Sequence, residues 1–512
     1  MISPHIDGTA RPPGHGKPPA GTDRGRVEPG RWRVGSTFAR VRAWLGTTPA
    51  RVWLLTMTAV VTIAGLFVSA SITLGHARDG SSLLGHDAGP QAMATTELYL
   101  ALADMDARMA DVLLMGDDHD LGSGRENVLE MYGDSRERAH GALLQAASLT
   151  EGDSIEETNV RAVLNGLGEY EQRIGRALLL NDEAGAGPGR IDDDALAEYR
   201  RATRLMHTEL LPKAFNLGLD SSAIVRAGHE AGQSSVTLGL LGVGGAGALA
   251  ITALVSLQVF LRIRFRRRFN VPVLAATAGV LALTAGVVLA LDGAAGYQRD
   301  AKEEGLNAAM ALSRAEAIAT DMQADQSRYL LDPEQADNYQ QVYLERAQQV
   351  LFRPADDLEE YYGQIAEVTE SSSSGPSEAG GDDGDDPGTL GYLGQDAQDA
   401  LIAGQTQALA EVLEAYNGLQ EQDRVMRSLV EADDLDGAVE VRMGITHTED
   451  GAFSVYTSSL GGLIDLHVEE FRSGVERGDA MLSPWTWLLP AGTVAVLALL
   501  ALGVRPRLAE YR

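Results

Sequence analysis

Four stretches of this chain are long and apolar enough to decide much of its architecture on their own: Val52–Gly75, Val236–Leu261, Val271–Leu291 and Trp485–Val504, none of which contains a charged residue. A helix of about 20 apolar residues crosses a bilayer, and it can do so because its backbone groups are satisfied within the segment. One such run could be the buried core helix of a large soluble protein. Four of them, three flanked by Arg clusters, point to membrane spans. The first run has a longer apolar core than a signal peptide and is preceded by a long tail, so an uncleaved anchor is expected.

Charge sets the expected orientation. The tail up to Arg51 carries nine basic residues against Asp7, Asp23 and Glu28. The connection between spans two and three holds Arg262, Arg264, Arg266, Arg267 and Arg268, and the C-terminal piece sets Arg505, Arg507 and Arg512 against Glu510. The whole of the −30 net charge, and more, therefore falls on the two long segments between spans. Short basic segments stay in the cytoplasm. Both termini are expected inside the cell membrane and both acidic segments outside. Only Lys17, Lys213 and Lys302 among the 42 basic residues are lysine, a bias that points to a GC-rich genome such as an actinobacterium's. The absence of Cys removes disulfides, thiolate catalysis and Cys-ligated metals.

Both long segments read as helical. Leu98, Leu102, Met105, Met109 and Val112 recur at spacings of four and three, as do Val160, Val163, Leu167, Tyr170, Ile174 and Ala177. Ser154 with Glu157 fits a capping box. Helices are expected near 91–116, 125–149, 154–182 and 192–230, the last kinked at Pro212. The second segment offers helices near 297–331, 334–366, 395–432 and 435–481, with the Ser-, Gly- and Asp-rich stretch 370–394 as a flexible acidic insertion. Four echoes run in the same order through both: Leu113–Asp117 with Tyr329–Asp332, Arg138 with Arg346, Tyr170 with Tyr416, and His207-Thr208-Glu209 with His447-Thr448-Glu449. The expected fold is all-α: four transmembrane helices with two extracytoplasmic antiparallel four-helix bundles related by internal duplication. The chain divides into a disordered basic tail (1–51), spans at 52–75, 236–261, 271–291 and 485–504, bundles at 76–235 and 292–484, an Arg-rich loop (262–270) and a short cytoplasmic end (505–512).

No catalytic, cofactor or metal site emerges. The chain lacks a P-loop, a dinucleotide fingerprint, an HExxH and a nucleophile elbow. His and Glu two apart on a helix point in different directions and cannot share an ion. Asp117-Asp118-His119-Asp120 resembles the start of a calcium loop, but the twelfth position from Asp118 is Leu129, not Glu. The small-residue faces Gly242/Ala246/Ala250 and Ala278/Ala282/Gly286/Ala290 suit close packing of helices in lipid, within one chain or in a homo-oligomer. The Arg262–Arg268 cluster is the candidate contact for anionic membrane lipids or a cytoplasmic partner.

Each span–bundle–span unit, over 52–261 and 271–504, resembles the extracytoplasmic four-helix sensor domain of chemotaxis receptors and sensor histidine kinases. It departs from them in having two units and neither a HAMP domain nor a signalling helix. The layout is also similar to four-span actinobacterial membrane proteins associated with a glutamine/glutamate-binding lipoprotein and a soluble serine/threonine kinase. That resemblance implies a non-enzymatic sensor or adaptor in amino-acid sensing, with a solute-binding lipoprotein outside, a kinase inside and no nucleic-acid partner. A structural or envelope-assembly scaffold is the alternative, and a transporter, which would want ionisable residues within its spans, comes third. Reporter fusions test the topology: one at Gly380 should read as external and one after Arg268 as internal, and an internal signal at Gly380 would break the scheme.

Overall fold

The computed structural model describes residues 48–118, 120–149, 154–265, 270–373, 391–398, 402–448 and 450–509. Every regular element among them is helical. The first, α1 (Thr48–Ser82), passes through a π-helical turn, Leu83–Ala88, straight into α2 (Gly89–Met115). Then come α3 (Arg125–Leu149), α4 (Ser154–Ala184) and α5 (Asp193–Leu205), which runs through a second π turn, Met206–Leu210, into α6 (Leu211–Phe265). The second half repeats the entry: α7 (Val271–Asp300), a π turn at Ala301–Asn307, and α8 (Ala308–Leu331). The remaining helices are α9 (Ala336–Val350), α10 (Leu358–Ser373), α11 (Gly391–Gln398), α12 (Gln405–Glu431), α13 (Leu435–His447), α14 (Ala452–Leu482) and α15 (Trp485–Ala509).

Four helices are long and apolar enough to cross a membrane, and the four expected spans lie on them. They pack as a unit through Ala59, Ile63, Leu66, Val243, Leu254, Val280, Val287, Leu489 and Val496. Small residues allow the contact. Gly239 sits against Thr73, Gly242 against Ser69, Gly247 against Thr284 and Gly286 against the Trp485 ring, where an added Cβ would meet those side chains within about 3.1 Å. Of the second small-residue face, Ala290 is buried while Ala278 and Ala282 point outward.

Pro212 was expected to kink its helix. The helix continues through Pro212, and the π turn Met206–Leu210 just before it shifts the backbone hydrogen-bond pattern where the proline lacks a donor. Three helices of the second segment are shorter than their periodicity suggests. The expected 334–366 helix stops at Val350 and restarts at Leu358. Pro354 lies in the gap and biases its predecessor out of helical geometry, while Asp357 Oδ1 accepts the Glu360 amide at 2.9 Å to start the new helix. The 395–432 helix breaks before Gln405, with Gly404 at φ 91°. The 435–481 helix breaks between His447 and Ala452, where a Cβ on Gly451 would come within 2.6 Å of the Ile445 carbonyl.

The insertion was also drawn too wide. Residues 374–390 lie outside the described residues, but α10 extends to Ser373, and 391–394 open α11 with Leu393 fully buried among Leu344, Tyr361 and Tyr416 in the second segment's core. The tail 1–47 likewise lies outside the described residues. A larger difference concerns independence. The core of the first segment, built on Leu98, Leu102, Met109, Tyr170 and Met206, also takes in Leu330, Leu331, Met426, Val439 and Met443 of the second. The two segments are packed together and share an interior. Leu393→Ala is expected to destabilise the protein by about 3 kcal/mol, whereas deleting Pro376–Asp386 should leave the melting temperature unchanged; equal losses from both would mean that the insertion packs.

Candidate functional site

Where α2 meets α8, the shared interior is ionic. Asp106 and Asp111 on α2 are buried, as are Asp325 and Arg328 on α8. Asp106 pairs with Arg328 and accepts the Tyr170 hydroxyl at 3.0 Å, and His207 Nε2 lies 3.3 Å from it. Arg328 also donates to Asp325 (2.8 Å) and to the Tyr199 hydroxyl (3.2 Å), and Asp325 in turn pairs with Arg346. One turn further along, Asp111 accepts from Arg442 (2.7 Å) and Ser327 (2.7 Å) and faces His447 Nε2 at 2.9 Å. Arg200 closes the joint from outside with two bonds to Asp332, at 2.8 and 2.5 Å.

Burial alone would raise the Asp106 carboxyl, but Arg328, with His207 and Tyr170, more than offsets it and brings the group to about 2. Asp111 is lowered to about 2 in the same way, with burial opposed by Arg442, His447 and Ser327. The stability these pairs contribute is present above the ordinary carboxylate range and is lost as pH falls towards about 2. Leaving one member of such a pair without the other strands a charge in the interior, which costs about 3–5 kcal/mol.

The periodicity of Leu98–Val112 located the buried face of α2 but not its buried acids. A helix apolar nearly all round is one enclosed on every side, and 20 residues of α2 are buried; an Asp on such a helix must find a partner. That was the available signal. His207 and His447, read as merely half-buried polar positions, are partners of Asp106 and Asp111.

Between this joint and the spans lies a cleft of about 1030 Å³, walled by α2, α3, α8 and α14 and floored by the first π turn. Its apolar surface comes from Met93, Leu100, Met310, Ile464, Phe471 and Val475, and its acids are Glu97, Glu316, Asp465, Glu476 and Asp479. The two arginines on its wall are already engaged: Arg138 donates to Asp104 at 2.8 Å and to Glu97 at 3.5 Å, and Arg472 to Glu469 at 2.9 Å. Glu316 is half-buried, and burial, reinforced by Glu97 and Asp104 against the weaker pull of Arg138, pushes its carboxyl up to about 7. Because the folded state holds this proton more tightly than the unfolded chain, ionisation of Glu316 subtracts stability as pH rises from the ordinary carboxylate range through about 7.

Phe471 anchors the base of the cleft. Added Cβ atoms on Gly89 and Gly305 would lie 2.8 Å from its ring and 2.6 Å from its backbone, so both glycines exist to let α14 come close. Leu84, Ala92, Leu306, Met310 and Val475 complete this small core beside the two π turns.

Of the arginines singled out from sequence, two lie among the described residues. Arg262 is exposed at the far end of α6, Arg264 follows on the same helix, and Arg266, Arg267 and Arg268 lie outside the described residues.

The ionic joint is testable by a double-mutant cycle. Asp106→Ala and Arg328→Met should each lower stability by about 3–5 kcal/mol, and the pair together by much less than the sum; strictly additive losses in thermal unfolding would show that the two side chains are not coupled.

The family described as an actinobacterial sensor domain matches residues 81–230. The match starts at the very end of α1, takes in the first π turn and α2 to α5 and ends within α6, so it supplies the α2 and α3 walls of the cleft and the Asp106 and Asp111 side of the joint. No curated protein and no solved structure matches the chain. Residues 81–230 are thus similar to a sensor domain of actinobacterial type, and together with the four apolar helices this fits a multi-pass membrane protein.

Proposed function

We propose that the protein senses a signal outside the cell and relays it across the membrane to a cytoplasmic partner, both inter-span segments being external and both termini internal. The observation that carries this reading is mechanical continuity. The span in α1 runs into α2, the span in α6 continues α5, and the span in α7 runs into α8, each through a single π turn. The fourth span is separated from α14 only by Ser483 and Pro484. A displacement at the cleft or the ionic joint is thus transmitted along helices that enter the bilayer without a hinge loop.

A signal shifts such a system only if it discriminates two arrangements. The ionic joint holds the register of α2 against α8, so the element that shifts is the span-proximal end of these helices beside the cleft. The signal itself is a small molecule or a solute-binding lipoprotein, and the internal partner a protein kinase or other acidic-surfaced protein docking on the Arg262–Arg268 loop. We also read the two halves as products of duplication. The π turns at Leu83–Ala88 and Ala301–Asn307 fall at corresponding points, and Gly89, just after the first, and Gly305, within the second, both approach Phe471.

Replacing Arg264, Arg266 and Arg267 with Gln should leave insertion intact, since Arg262, Arg268 and the basic tail remain, while abolishing partner co-purification and the downstream response. Full signalling by a correctly inserted triple mutant, with the tail also truncated before Arg40, would refute the relay.

A further inference from the structure

The fourth span is joined to its bundle differently from the other three. We propose that Arg78 is a latch on a proline hinge at Ser483–Pro484, and that releasing it lets the fourth span tilt while the others stay in place. This deepens the sensor reading, on which its biological meaning rests, by naming the span that moves.

The break comes first. Spans one to three pass into or out of their bundles along continuous helix, through π turns where the backbone pattern shifts. Between α14 and α15 the backbone ladder is interrupted instead. Pro484 has no N–H to offer the Ala480 carbonyl. The Thr486 amide, which in a continuous helix would reach back to Leu482, donates to the Ser483 carbonyl at 3.3 Å. Pro490 and Pro506 lie inside α15, whereas Pro272 of the third span stands at the start of its helix. Sharp bends in helices concentrate at proline, so the fourth span is the one built to bend.

A second observation is independent of the prolines. The Leu482 carbonyl, left out of the ladder, accepts from Arg78 Nη2 at 2.6 Å. Arg78 stands three residues beyond the apolar run that ends at Gly75 and is half-buried. Nearby, the buried Ser81 hydroxyl donates to Asp479 Oδ1 at 2.6 Å, and Gln298 of α7 donates to the Ala77 carbonyl at 3.3 Å. The end of α14 is thereby tied to α1, and α1 to α7. A carbonyl released at the edge of an apolar region needs a donor. Arg78 supplies it while the hinge is closed, and surface water can supply it when the hinge opens.

The latch has a connection at each end. Asp479, which Ser81 holds, also lines the cleft, and the α14 wall of the cleft ends there, three residues before Leu482. A displacement of that wall bears directly on both hydrogen bonds. At the far end, Asn270 Nδ2 donates to the Gly503 carbonyl at 2.8 Å, and an added Cβ on Gly503 would lie 2.6 Å from Val273. Asn270 closes the connection that carries Arg262–Arg268, so a tilt of α15 pulls on that connection. From Trp485 to Leu502 the helix is about 26 Å long, and a tilt of about 10° moves its far end by about 4 Å.

The chain has no Cys, so nitroxide labels on introduced cysteines report single positions. The test is electron–electron distance measurement on the full-length protein in phosphatidylglycerol nanodiscs. The reporting pair is Ile263→Cys with Leu502→Cys, and the reference pair Ile263→Cys with Leu54→Cys, all exposed positions. In the otherwise wild-type chain both pairs should give one narrow distance. Arg78→Met should broaden or shift the reporting pair by about 4 Å and leave the reference pair unchanged. Arg78→Lys, which keeps a charged donor, should behave as wild type. Adding Pro484→Ala to Arg78→Met restores an N–H to the helix and should return the reporting pair to its narrow distance. An unmoved reporting pair in Arg78→Met, an equal change in both pairs, or a double variant as broad as Arg78→Met would each overturn the proposal. Failure of both Arg78→Met proteins to assemble would overturn it as well, by making Arg78 a folding residue; assembly of the double variant alone would support it. A span that moves as described with no change in downstream response would leave the latch intact and count against the relay alone.

Discussion

The pairing of Asp106 with Arg328 organises much of what surrounds it. Each of these side chains is inaccessible to water and each comes from a different inter-span segment. Neither charge tolerates the interior alone. Once α2 and α8 lie side by side, sliding one past the other by a helical turn would strand both, as well as Asp111 opposite Arg442 and Ser327. Buried ion pairs add little net stability over well-packed apolar residues. Their effect here is on register: they select one arrangement of two long helices whose Ala-rich faces would otherwise pack almost equally well at several offsets.

That selection reaches the membrane because the helices are unbroken. α2 and α8 are the continuations of the first and third apolar helices, and the π turns between them shift each helix face without ending the helix. At this level Phe471 of α14 contacts both glycines, Gly89 and Gly305, so the helix leading to the fourth span touches the helices leading from the first and third at one small core. The cleft sits directly beside it. A group seated between α2, α8 and α14 is therefore positioned to change how three membrane helices stand relative to one another, while the ionic joint at the other end holds the register against which they move.

The acidity of the molecule has two distinct origins in this arrangement. Interior carboxylates such as Asp106, Asp111 and Asp423 are matched by Arg328, Arg442 and Arg427, the last also stacked between Tyr329 and Tyr343 with its centre 4.6 and 4.9 Å from the rings. Carboxylates of the cleft are not matched to the same degree. Glu316 shows the consequence, a carboxyl pushed towards neutrality by burial and by its acidic neighbours rather than pulled down by a guanidinium.

The four apolar runs and the seam of Leu98, Leu102, Met105, Met109 and Val112 were legible in the sequence, because bilayer thickness and helical period impose local patterns. Composition and turn residues also located most helix ends in the first segment. The breaks after Val350 and His447 were not legible, since continuous periodicity runs across them and the chain turns there to pack. Leu393 read as part of an acidic linker because its one apolar contact surface is supplied by residues distant in sequence. The site was legible least of all. Glu316, Arg138 and Phe471 come from three different helices, and Asp106 shows no sign of its partner 222 positions away. Residue pattern determined that this chain is a helical membrane protein with acidic segments between its spans. Tertiary structure alone decided that those segments share an interior and enclose a cleft, because pairing buried charges depends on which helices become neighbours, and local sequence carries no record of that.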